Sequence, residues 1–199
     1  MEIRSIESSL EKIRQEILLQ RTGNRLPLGP VGSADSSELE ARLDKVSADL
    51  QELQPLLDQE LDRRQRMLGL VSGLYLRNGS LDRSHELSQE LDSREGSYLH
   101  GMMHRIEGDY SNAKYWFRLA GAHPYAEELQ RRAVELVEGT PEADAALLRK
   151  LKREPEWNAA LFSDLAAASA LTGHNSLDTT LLEKLHSLEL ELLLEHLSR

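Results

Sequence analysis

YLHGMMHRIEGDYSNAKYWFRLAGAHP, residues 98–124, holds three of the seven histidines, three of the five tyrosines, one of the two tryptophans and one of the two phenylalanines. Gly108 interrupts a helical pattern, and Asp109 is placed to cap the next helical run. Tyr110, Ala113, Phe117 and Ala120 then recur at helical spacing. The stretch therefore reads as two short helices around a Gly-Asp-Tyr corner, a helical hairpin.

Outward from this hairpin the pattern stays helical. Ile3, Ile6, Leu10, Ile13 and Ile17 alternate steps of three and four, the seam of a short coiled coil. Thr22 to Ser36 carries two prolines and three glycines with no period and reads as a flexible linker. Asp35, Ser36 or Ser37 is placed to cap the next helix, with Glu40 three residues after Ser37 as in a capping box. Leu39, Leu43, Val46, Leu50, Leu53 and Leu57 continue a heptad pattern, which Pro55 interrupts before its last member. After Pro124, Tyr125, Leu129, Ala133, Leu136 and Val137 make a helix ended by Gly139. Thr140-Pro141 reads as a cap and first residue of the next, and Pro155 and Trp157 begin an Ala-rich helix. Leu177, Leu181, Leu185, Leu188 and Leu192 stripe a last one, and no alternating β-branched run suggests a sheet.

Gly101, Gly108-Asp109-Tyr110, Ala113, Phe117, Ala120 and Pro124 resemble a tetratricopeptide repeat, in which small residues let two helices approach while Tyr and Phe fill the space between them. Ser97, His100 and His104 stand where that repeat has Trp, Leu and Tyr, and Pro124 comes one residue early. A weaker copy lies at 68–91: with Gly79 laid on Gly108, Tyr75 falls on His104, Leu81 on Tyr110, Ser84 on Ala113, Leu87 on Trp116 and Leu91 on Ala120. The longer phrase is also similar to a group of uncharacterised proteins that share HG-two residues-HR, EGDY, NA, YWF and HP in this order. What the resemblance implies is an all-α fold of stacked helical hairpins, at about 68–92 and 97–122. The expected organisation is an amphipathic or coiled-coil helix at 1–21, a linker at 22–36 and an all-helical body at 37–199.

The 199 residues include 24 basic and 34 acidic side chains, a net charge of −10, which argues against nucleic acid or an anionic membrane as partner. Arg63-Arg64-Gln65-Arg66 and Arg149-Lys150-Leu151-Lys152-Arg153 are read as helix ends where cations suit the dipole. Without cysteine there are no disulfides, thiolate zinc sites or cysteine nucleophile. MEIRSIESSLEK has no continuous apolar core of a signal peptide, and the longest near-apolar run, 165–171, is too short to span a bilayer, so a cytoplasmic location is expected.

His100 and His104 are four apart on one expected helix face, with His85, Glu107, Asp109 or His123 as candidates for a third metal position. Gly101 after His100 removes the HExxH zinc-protease pattern, and no phosphate loop, GxSxG elbow, dinucleotide fingerprint or calcium loop is present. Tyr115, Trp116 and Phe117 point in three directions, so they cannot all serve one core. The expectation is a non-enzymatic helical-repeat protein without cofactor or catalytic residues, binding a protein or peptide through Tyr75, His100, His104 and Trp116, with its N-terminal heptad helices either lying on the body or joining subunits in a homo-oligomer. The alternative is a metal-binding protein or metal-dependent enzyme that uses His100 and His104 with His85.

Overall fold

The computed structural model describes residues 3–19, 25–29, 34–54, 60–141, 143, 145–172 and 177–199. Among these are ten helices and no strand: α1 (Ile3–Leu19), α2 (Ser37–Glu52), α3 (Leu61–Arg77), α4 (Leu81–Glu90), α5 (Arg94–Glu107), α6 (Tyr110–Ala120), α7 (Ala126–Glu138), α8 (Ala145–Leu151), α9 (Ala159–Thr172) and α10 (Leu177–Leu197). The central corner forms because Gly108 takes the left-handed conformation, φ 84°, which ends α5 without a Cβ penalty. Asp109 then accepts the Asn112 backbone N–H at 3.1 Å and starts α6. Across the hairpin a Cβ on Gly101 would meet the Phe117 ring at 2.9 Å, so only glycine admits that ring so close to α5. Ala113, the small residue expected at the contact, is fully buried.

Consecutive helices pack on one another from α2 to α6, wherever they are neighbours in the described chain, and α10 returns to pack on α3, α7 and α9. That return closes the chain on itself, unlike an open solenoid whose units touch only their neighbours. Its centre is α3. Every residue from Met67 to Arg77 is buried, because α1, α2, α4, α5 and α10 surround this helix.

Ile6, Leu10, Ile13 and Ile17 are 1–7% exposed, with α1 lying on α2 and α3 of the same chain. Of the expected linker, residues 25–29 run along the body. Leu26 N–H donates to Ser187 Oγ at 2.8 Å, Tyr110 OH donates to the Leu28 carbonyl at 3.2 Å, and His186 Nδ1 donates to the Pro27 carbonyl at 3.0 Å. Residues 22–24 and 30–33 of that segment, and the Pro55 break, lie outside the described residues.

Local readings need correction at three places. The Thr140 hydroxyl donates back to the Leu136 carbonyl at 2.9 Å instead of opening a helix, and α8 starts at Ala145. Asn158, not Pro155 or Trp157, precedes α9; its side chain accepts the Leu161 N–H at 2.9 Å. Arg63, Arg64 and Arg66 fall at the start of α3, where the dipole disfavours cations, and Arg63 is offset there by Glu7 and Glu60, each at 2.8 Å. Arg149 and Lys150 do lie in the last turn of α8. No helix among the described residues is long and apolar enough to cross a membrane.

Candidate metal centre

Three histidines meet between α4 and α5. Ser84 and Ser88, both buried, let α4 lie close against α3; the Ser72 hydroxyl donates to the Ser84 carbonyl at 3.0 Å. This fixes the neighbouring His85 over α5. On α5, capped by Ser93 accepting the Gly96 N–H at 3.0 Å, His100 and His104 rise one turn apart on the same side. The His100 ring lies 4.7 Å from those of both His85 and His104, and His85 to His104 is 5.5 Å. One ring nitrogen from each of the three falls within 4.8 Å of the other two.

Each ring has different neighbours. His100 stacks on Trp116 with centroids 3.9 Å apart and planes 14° from parallel. It is 3% exposed, and its Nδ1 is buried without a hydrogen-bond partner. Burial, aided by His104 and His85, pushes its pKa down to about 4, so the ring is neutral near pH 7, as a metal ligand must be. His104 is 8% exposed and held from both sides: Nδ1 is 2.9 Å from Glu107 Oε2, and Nε2 is 3.0 Å from Asn112 Nδ2. His85 is half-buried.

The structure thus brings together His85, His100, His104 and Trp116. Tyr75 is instead turned toward α2, donating to Asp44 at 2.6 Å. Glu107 belongs to the group as a partner of His104. Asp109 is a helix cap, and His123 packs elsewhere, among Tyr98, Tyr125 and His196. Tyr115 is exposed.

The opposite side of α5 carries a second polar group that sequence reading missed. Arg105 and Glu189 form a fully buried ion pair between α5 and α10. Glu189 Oε1 also accepts from Tyr98 OH at 2.6 Å and Trp157 Nε1 at 2.8 Å. Arg105 Nε donates to Ser163 Oγ at 3.1 Å and Nη2 to the Ala159 carbonyl at 3.2 Å, with the guanidinium beside the rings of Phe117 and Phe162. Burial, then the Glu189 carboxylate, pushes the Tyr98 phenol well above its ordinary range. A signal was present: continuing by fours along the last stripe, Leu181 and Leu185 lead to Glu189, an acid at a core position.

Chemically, three imidazoles with no carboxylate or thiolate among the donors suit Zn²⁺, Cu²⁺, Ni²⁺ or Co²⁺ rather than Mg²⁺ or Ca²⁺. Tetrahedral zinc with Zn–N bonds of about 2.0–2.1 Å needs nitrogens about 3.4 Å apart, so the widest gap must close by roughly 1.4 Å through side-chain rotation. Set against known families, curated proteins and solved structures, the chain matches none.

Proposed function

We propose that this all-helical protein binds one divalent transition-metal ion through His85, His100 and His104. The convergence of one nitrogen from each ring within 4.8 Å carries the reading. The unpartnered Nδ1 of His100 supports it, because a buried polar atom left without a bond is costly unless something else engages it. Three protein ligands leave a fourth position for water, a small anion or a partner's side chain. The α5–α6 hairpin, with its tetratricopeptide-like spacing, is in this reading the frame that holds the centre.

Protein purified without a histidine tag should take up about one equivalent of Zn²⁺ or Ni²⁺ and melt at higher temperature with it. His100→Ala with His104→Ala should abolish both effects. Less than about a tenth of an equivalent bound, with no thermal shift from any of the four ions, would overturn the reading.

A protein or peptide partner is a second reading, favoured by Tyr115 and Leu119, 49% and 54% exposed and one turn apart on α6 beside Trp116. Isolated apolar residues are common on surfaces, but two adjacent ones next to a tryptophan form an anchor of the kind interfaces use. Binding of a partner that survives Tyr115→Ser with Leu119→Ser would remove it.

A further inference from the structure

A carboxylate only accepts hydrogen bonds, so the His104 Nδ1 beside Glu107 carries the proton. A neutral ring protonated at Nδ1 has its lone pair on Nε2, and that is the atom facing the Asn112 amide, which must donate to it. His104 is thereby set in the tautomer that presents Nε2 to a metal, with a carboxylate behind it as in carboxylate–histidine–metal triads. Meanwhile the coordinating electron pair is occupied by one hydrogen from Asn112, a residue tied through its backbone N–H to the Asp109 cap.

Resting on the metal reading above, we propose that Glu107 is the positioning residue of the centre and that Asn112 is a place-holder on the coordinating nitrogen, displaced when metal enters. Coordination then exchanges an N–H···N hydrogen bond for a metal–nitrogen bond at Nε2. It also frees the Asn112 side chain in the first turn of α6, so the Glu-Gly-Asp-Tyr corner is the part of the fold that responds to the ion. Neither role is needed to hold the fold: the Glu107 side chain is 39% exposed, and replacing the Asn112 side chain leaves untouched the backbone N–H that Asp109 accepts.

The two residues are expected to act in opposite directions. Calorimetric titration with Zn²⁺ of the full untagged chain should show Glu107→Gln binding about 10- to 100-fold more weakly, because the amide also donates and no longer enforces one tautomer. Asn112→Ala should bind about two- to tenfold more tightly, because a competing hydrogen bond is gone. The ¹⁵N shifts of the metal-free His104 ring should report protonation at Nδ1 in the parent and a tautomer mixture in Glu107→Gln, a change that loss of a merely structural contact would not produce. Unchanged affinity in Glu107→Gln, or weaker binding by Asn112→Ala, overturns this inference while leaving the metal reading standing. A parent chain that binds no Zn²⁺ overturns both.

Discussion

His104 and Arg105 are consecutive on α5, yet they end in opposite kinds of polar centre. Around Arg105 every strong group is engaged: its Nε and both Nη atoms donate, and both Glu189 oxygens accept. Around His104 and His100 the accounting is incomplete, with one buried ring nitrogen unpartnered and another held by a single amide. A buried polar network that is fully satisfied rigidifies the fold and has nothing left to offer a ligand. One with electron pairs to spare costs stability and is available for binding. On one helix the protein thus separates a centre that ties α5 to α10 from a centre that can coordinate.

The largest effect should come from breaking the closed centre. Glu189→Gln keeps the volume and an acceptor for Tyr98 and Trp157 but leaves Arg105 buried and uncompensated, which should cost about 3–5 kcal/mol in denaturant unfolding. Removing both charges in Arg105→Met with Glu189→Gln should cost less than the sum of the single changes, since no lone buried charge remains. Additive losses would show that the two groups are not a coupled pair.

Acidification separates the centres on a smaller scale. His100 is pushed down to about 4 by burial, then by His104 and His85; His123 reaches about 4 by burial, opposed by Glu95 and aided by His196 and Arg94. Unfolded histidine titrates near 6.5, so the unfolded chain binds these protons first. Stability is therefore complete above about pH 6.5 and falls as pH drops toward 4, by up to about 1.4 kcal/mol per pH unit for each ring. With chelator present, His100→Phe combined with His123→Phe should make the profile shallower between pH 6.5 and 4.5, leaving the slope of His186, which burial and then Arg105 also hold well below the ordinary histidine range. An unchanged profile would mean that neither ring is held neutral by the fold.

Much of the frame was legible because it rests on local rules. Gly108 and Asp109 announced the corner, Gly101 and Ala113 the close approach, and the spacing of His100 and His104 their shared face. The third histidine was named among several candidates; choosing it required knowing that the buried serines of α4 bring His85 over α5, a contact between helices that spacing along one helix does not encode. Arg105 and Glu189 were missed for the same reason. Each looks like a surface charge until its partner is found across the core, and only the position of Glu189 on an apolar stripe pointed inward. The misplaced starts of α8 and α9 have a different cause: Thr140 and Pro155 carry real capping chemistry, but the Thr140 hydroxyl back-bonds to the helix before it, and Asn158 supplies a better-placed cap.

The smallest effect is the sharpest test of the contrast. His85 meets His100 and His104 edge-on and is half-buried, so His85→Ala strands no buried charge and opens less space than a change in the core. Its metal-free stability should change by less than about 0.5 kcal/mol, the range of substitutions away from core and caps. The thermal shift produced by Zn²⁺ should nevertheless fall sharply, because a site reduced to two imidazoles loses a third of its protein ligands. A variant near neutral without metal and deficient with it would place His85 in a centre kept for binding. If His85→Ala instead destabilises the metal-free chain as strongly as Glu189→Gln does, the histidines are packing residues, and the two sides of α5 do the same work.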